Sequence, residues 1–228
     1  MNENKKHVPV IAIDGPSGSG KGTISQILAT KLGYHLLDSG ALYRLTALSI
    51  IEQEIDPENT QAVANAALNL DVVFEPQPDG EQKILLNGVD VGVKLRLDET
   101  SAMASKIAAI PEVREALLTR QRQFRQNPGL VADGRDMGTV VFTDADHKVF
   151  LTASPEIRAE RRYKQLIEKG VDANISHLLK SIIDRDERDR TRTVAPLVPA
   201  EGAFVIDSSQ LPIDEVVQQI LDFIGFSE

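Results

Sequence analysis

The stretch from Val8 to Thr23 constrains this chain more than any other. An apolar run ending at Asp14 passes straight into Gly-Pro-Ser-Gly-Ser-Gly-Lys-Gly-Thr and then into residues of helical character. A strand, a glycine-rich loop and a helix in that order aim several backbone N–H groups at one point, where the helix N-terminal dipole also favours negative charge. Such a point holds phosphate. Gly15, Gly18 and Gly20 allow a tight, partly left-handed backbone and clear side chains from the path of an approaching anion. Lys21 is long enough to reach the β- and γ-phosphates of a nucleoside triphosphate. Together with Pro16, Ser17, Ser19, Gly22 and Thr23 these residues are the candidate ATP contacts, and Lys21 is also a catalytic candidate. The residue after Lys21 is Gly22, and a hydroxyl arrives only at Thr23, so the loop is a poor direct ligand for magnesium.

The pattern beyond the loop predicts an α/β fold. Val8–Asp14, Tyr34–Asp38, Leu130–Asp133, His147–Thr152 and Ala203–Asp207 read as buried parallel strands, with helical segments between them. This predicts a five-stranded parallel sheet in a three-layer α/β/α arrangement. All but one of these strands end in aspartate, at the sheet edge where ligands of such folds bind, although an aspartate there can also cap the next helix. Helices are expected over Gly22–Leu32, Gly40–Glu54, Thr100–Ala109, Pro111 to about Gln126, Pro155–Lys169, Ile175–Asp189 and Pro212–Ile224. Between residues 70 and 98 the period changes. Leu70–Phe74 and Lys83–Asn87 read as short strands around a Pro78-Asp79-Gly80 turn, and Asn87-Gly88 is a type I′ hairpin signal before Val89–Val93. The expected organisation is a core domain from 1–69 and 126–228 and a small antiparallel insertion over 70–125.

Composition narrows the partners. With 34 acidic and 25 basic residues the formal net charge is −9, which argues against nucleic acid or an anionic membrane as a binding partner. The absence of cysteine excludes a disulfide framework, a thiolate metal site and a cysteine nucleophile, and it fits a cytoplasmic location. The apolar run before Asp14 is too short to span a membrane. Against this acidic background the arginines concentrate at 114–125, 158–162 and 185–192. They face either a local anion or solvent as part of i,i+4 ion pairs.

Candidates for a second substrate lie at the other strand ends: Asp38-Ser39-Gly40 with Tyr43-Arg44, and Asp133-Gly134-Arg135-Asp136. Arg185, Asp189 and Arg192 fall on one helical face, which suits a phosphate and a sugar hydroxyl or, equally, a solvated charge ladder. Arg158, Arg161 and Arg162 open the helix after the fourth strand. They face a local anion or form ion pairs with Glu156 and Glu160.

Ile13–Thr23, Leu36–Arg44, Val113–Leu118, Leu130–Phe142 and Arg185–Pro199 together resemble the bacterial cytidylate kinase family, P-loop enzymes that phosphorylate nucleoside monophosphates. The phrase from Ala132 to Thr139 and the tail from Thr193 to Pro199 discriminate more sharply than the glycine loop. The resemblance implies in-line transfer of the γ-phosphoryl group of ATP to CMP or dCMP, without a protein nucleophile. It implies that Ser105, Arg114 and Asp136 read cytosine, that Arg44 and Arg135 grip the monophosphate near Ser39, and that Arg185 and Asp189 meet the sugar hydroxyls, with Arg192 also facing nucleotide. The resemblance also implies a short lid near 156–172 in which Arg158, Arg161 and Arg162 close over the ATP phosphates and neutralise the transferred group. Arg135 and Arg161 thus join Lys21 as catalytic candidates, and Arg158 joins the ATP contacts. Magnesium would be held by phosphates and water, with Thr23, Asp38 and Asp133 reaching it only through water. A monomer acting on small molecules is expected. Ser105 can also be a small packing residue, and Asp38 or Asp133 a turn cap. The competing readings are a kinase for another small acceptor and a nucleotide-driven switch. The second lacks an Asn-Lys-x-Asp guanine motif.

Overall fold

The computed structural model describes residues 7–76, 82–168 and 170–226. In chain order the first elements are β1 (Val10–Asp14), α1 (Lys21–Leu32), β2 (His35–Asp38), α2 (Ser39–Glu52), α3 (Thr60–Leu68), β3 (Val72–Pro76), β4 (Gln82–Leu86) and β5 (Val89–Asp90). There follow α4 (Asp98–Ile107), α5 (Pro111–Gln123), β6 (Leu130–Gly134), β7 (His147–Thr152), α6 (Pro155–Glu168), α7 (Ile175–Thr191), β8 (Phe204–Asp207) and α8 (Ile213–Phe223). They group into two compact units, Met1–Asp38 with Arg122–Glu228, and Ser39–Gln121.

The larger unit carries a five-stranded parallel sheet in the order β2-β6-β1-β7-β8. Every residue of β1 and β6 is buried, as expected of central strands covered on both faces. On one face Ile11, Ile13, Val131, Val149, Leu151 and Ile206 pack with Ile24 and Leu28 of α1 and with Val216, Val217, Ile220 and Leu221 of α8. Register then places the strand-end carboxylates. Asp14 pairs with Gly134, and Asp38 pairs with Asp133, so these groups share the carboxyl edge of the sheet. The five strands expected from sequence all form, His147–Thr152 with the expected bounds and the other four with one end shifted by one or two residues.

One element of this unit was not foreseen. Met137–Val141 forms a π-helical turn, in which the Phe142 N–H reaches the Met137 carbonyl at 2.7 Å. Four of its five residues, Gly138, Thr139, Val140 and Val141, are poor helix formers, so propensity does not signal it.

In the smaller unit α2 is buried on most of its circumference and packs against α4 and α3. The small antiparallel sheet has the order β3-β4-β5. Asn87 (φ 51°) and Gly88 (φ 76°) take the left-handed conformations of the expected type I′ turn. The strand expected over Val89–Val93 stops at Asp90. The Asp90 carboxylate accepts from the Gly92 N–H at 3.0 Å and turns the chain into a short 3₁₀ segment, Lys94–Arg96. The expected Pro78-Asp79-Gly80 turn lies outside the described residues. The unit begins at Ser39 rather than near residue 70, and so takes in α2 and α3. α3 escapes an apolar-period reading because its buried face is Val63, Ala64 and Ala67, mostly small residues, with Asn59 capping the Ala62 N–H.

Candidate active site

The loop from Gly15 to Gly20 joins β1 to α1 and is shaped by positions that only glycine tolerates. Gly15 has φ 151°, and a Cβ there would lie 2.0 Å from the Leu151 carbonyl oxygen. Gly18 (φ 78°) and Gly20 (φ 95°) are left-handed, and Gly20 leads into the first turn of α1. Lys21 is buried inside the loop. Its Nζ donates to the Pro16 carbonyl at 2.8 Å and lies 3.9 Å from the Asp133 carboxylate, while the Ser19 hydroxyl donates to Pro16 O at 3.0 Å. Burial and the neighbouring Arg135 lower the Lys21 pKa to about 7, against the opposing pull of Asp133, Asp14 and Asp38. Thr23 is exposed on the first turn of α1, and Asp38 is exposed at the end of β2.

Asp14 closes the β1 side of this cluster. It is 3% exposed, and its two oxygens accept from the Met137 and Gly138 N–H groups, each at 2.8 Å. Burial nevertheless pushes its carboxyl up to about 7.

Two arginines of α6 hold the loop from outside. Arg158 is fully buried. Its Nε donates to Ala153 O at 2.9 Å, one terminal nitrogen donates to Ser17 O at 2.9 Å and to an Asp186 oxygen at 3.0 Å, and the other forms a short bond to the second Asp186 oxygen. Sequence pointed to ATP or to Glu156 and Glu160 as partners of this side chain, and Asp186 of α7 was missed. The signal was available, since Asp186 stands three residues before Asp189 on the same helical face, and both are buried. Arg161 donates to the Ser208 carbonyl at 2.6 Å and to its hydroxyl at 3.3 Å. That hydroxyl lies 3.1 Å from both Ser19 O and Thr152 O. Ser208 follows β8, and no sequence motif marked it.

The turn after β6 supplies Arg135 and Asp136. Arg135 Nε donates to the Asp189 carboxylate at 3.2 Å, and another guanidinium nitrogen donates to Gly134 O at 3.1 Å. Asp136 is buried at the start of the π-helical turn. Asp189 is buried on α7, with Arg185 one turn before it and Arg192 just beyond the helix, where its Nε donates to Ala195 O. Arg185 and Asp189 therefore share a face of α7 as inferred, Arg192 lies past the helix end in extended conformation, and Asp189 binds Arg135.

In the smaller unit Arg114 is buried on α5, donates to Ala108 O at 3.1 Å and lies over the Tyr43 ring at 5.9 Å. Ser39 opens α2 and donates to Gln121 Oε1 at 2.8 Å, both residues being buried. Arg44 is half-buried on the same helix. The hydroxyl oxygen of Ser105 on α4 is buried and has no hydrogen-bond partner in the structure. A purely packing role leaves that desolvation uncompensated; a ligand donor or acceptor would relieve it.

A parallel sheet whose first strand enters a glycine loop around a buried lysine defines a P-loop phosphate-binding protein. A family model described as "Cytidylate kinase" matches residues 11–225. The chain is 57% identical over 216 residues to a protein named cytidylate kinase from Aeromonas salmonicida (strain A449), covering 94% of this chain and 93% of that one. It is 55% identical over 219 residues to a cytidylate kinase of Colwellia psychrerythraea (strain 34H / ATCC BAA-681), covering 96% and 97%. It is also 57% identical over 221 residues to one of Shewanella putrefaciens (strain CN-32 / ATCC BAA-453), covering 96% of each. The chain belongs to the cytidylate kinase family.

Proposed function

We propose that this chain phosphorylates CMP and dCMP with ATP, giving CDP or dCDP and ADP. Family membership over nearly the whole length supports the reaction, and the buried Lys21 at the centre of the loop is the structural observation that carries it. The triphosphate lies along the loop N–H groups, and Lys21 leaves the Pro16 carbonyl for the β- and γ-oxygens. There it compensates charge as the CMP phosphate oxygen attacks the γ-phosphorus in line. Transfer of this kind needs positioning and charge compensation, so no protein nucleophile takes part.

For the acceptor, Arg135 of the larger unit grips the monophosphate, Asp136 accepts from the cytosine amine, and Arg185, Asp189 and Arg192 serve the sugar and phosphate. In the smaller unit Arg44 meets phosphate beside Ser39, and Arg114 and Ser105 donate to the base. The partnerless Ser105 hydroxyl fits that assignment. Uracil would present an acceptor to the Asp136 carboxylate and be disfavoured. Arg158 and Arg161 we assign to holding the loop in shape through Ser17, Ser208 and Asp186, in place of the direct ATP and catalytic roles expected from sequence.

Mg²⁺ fits the donor set: Asp38 and Asp133 are register partners at the sheet edge, and hard oxygens reaching the ion through water suit its octahedral preference. When bound with ATP it supplies charge neutralisation on the phosphates. Among the described residues no helix is long and apolar enough to cross a membrane. A monomer working in the cytoplasm on small molecules, without nucleic acid, completes the proposal; the net charge of −9 and the lack of cysteine support it.

The test is to incubate the protein with ATP, Mg²⁺ and CMP and to quantify CDP and ADP. Equal amounts of both are expected. ADP without CDP would mark a hydrolase or switch instead.

A further inference from the structure

Asp14 belongs to no substrate contact assigned above, yet both of its oxygens are engaged beside the loop. It is the last residue of β1, directly before Gly15, and is 3% exposed. Each of its oxygens accepts one backbone N–H at 2.8 Å, from Met137 and from Gly138. Those are the first two N–H groups of the π-helical turn Met137–Val141, and no helix can satisfy its own first N–H groups. The residue at the capping position of that turn is Asp136, a type that ordinarily caps with its own carboxylate. Here Asp136 makes no side-chain capping bond (φ −148°, ψ 25°).

We propose that Asp14 is a positioning residue: it caps the Met137–Val141 turn from the neighbouring strand and so fixes the backbone from which Asp136 presents its carboxylate to the acceptor base. One carboxylate thereby fixes the Asp133–Gly138 segment to the residue that starts the phosphate loop, tying the donor and acceptor parts of the larger unit into one rigid piece. The register pair Asp14 and Gly134 brings the two segments together. Two hydrogen bonds to one buried group then leave the turn a single orientation. A longer carboxylate could not fill both positions without moving β1, whose residues are all buried. The inference rests on Asp136 being the reader of the base.

Asp14→Asn keeps the shape but turns an NH₂ group toward one of the two N–H donors, and the turn that follows Asp136 is then expected to lose its single orientation. The variant should lose about tenfold or more in the ratio of kcat/KM for CMP to that for UMP, while KM for ATP changes by less than about threefold. A merely structural role would lower the melting temperature and leave the ratio alone. An unchanged ratio in a folded Asp14→Asn protein, with the ratio relaxed in Asp136→Ala, overturns the inference. An unchanged ratio in Asp136→Ala itself overturns instead the assignment of Asp136 to the base. The capping contact is read separately in the wild-type protein by amide hydrogen exchange before CMP is added. Met137 and Gly138 should be protected like the central strands, and exchange at the rate of an open turn overturns the proposal whether or not any variant folds.

Discussion

Arg158 and Asp186 form a two-point ion pair sealed from solvent, and the same guanidinium holds the Ser17 carbonyl of the phosphate loop. The helix for which acceptor contacts are proposed is thus bound to the phosphate loop through one arginine. Removing one partner leaves the other charged and buried, which costs about 3–5 kcal/mol. Asp186→Ala is therefore expected to lower the unfolding free energy by that order and to raise KM for ATP, as measured by urea denaturation and steady-state kinetics. Stability within about 0.5 kcal/mol of wild type would show that the pair contributes nothing net.

Lys21 should respond to pH through its depressed pKa. Its ordinary value is 10.5 and burial brings it to about 7, so at pH 8 the folded protein holds it mostly neutral. A bound triphosphate adds negative charge beside it and raises the pKa again. ATP binding at pH 8 should then take up a proton. Calorimetry in buffers of different ionisation enthalpy reads this directly, and the uptake should largely vanish in Lys21→Met. The sign for stability follows the same shift. Between pH 7 and 10.5 the unfolded chain binds more protons at this group, so its contribution to stability rises with pH across that window.

Lys21→Met should also lower kcat by about a hundredfold to a thousandfold with a folded protein, since it deletes charge stabilisation at the transferred group. Far-ultraviolet circular dichroism controls for folding. A rate within about threefold of wild type would remove Lys21 from the chemistry.

Gly15→Ala is expected to be severe for a steric reason. The new methyl would sit 2.0 Å from the Leu151 carbonyl oxygen, a main-chain atom that cannot swing aside. Either β7 or the loop must move, and ATP affinity should fall by about tenfold or more together with stability, as read by nucleotide titration and thermal unfolding. Gly33→Ala makes a useful contrast: nothing lies within 4 Å of the added carbon, so only the left-handed strain remains, at φ 66°.

What the sequence made legible was whatever a local pattern encodes. The apolar runs fixed all five strands of the parallel sheet, because strands buried on both faces need continuous apolar residues, as Val10–Ile13 and Leu130–Ala132 show. Asn87-Gly88 fixed its turn because both residues must accept positive φ. Long-range polar pairing was not legible. Asp186 meets Arg158 across 28 positions and Asp14 meets Gly138 across 124, and no local period records such distances. Arg158 was visible as part of a basic cluster, but composition could not tell a guanidinium facing phosphate from one bound to a backbone carbonyl and an aspartate. Ser208 and Gln121 left no signal, since a single serine or glutamine becomes meaningful only once the fold brings it to Ser19 or Ser39.

Choice of acceptor separates a CMP kinase from a kinase for another monophosphate. With ATP and Mg²⁺ at saturation, kcat/KM should be measured for CMP, dCMP, UMP, AMP and GMP in one coupled assay. CMP and dCMP should exceed the other three by about tenfold or more, the discrimination expected of a site with buried hydrogen-bonding groups left unpaired by the wrong base. A preference for UMP, AMP or GMP over CMP would contradict the reading of the site.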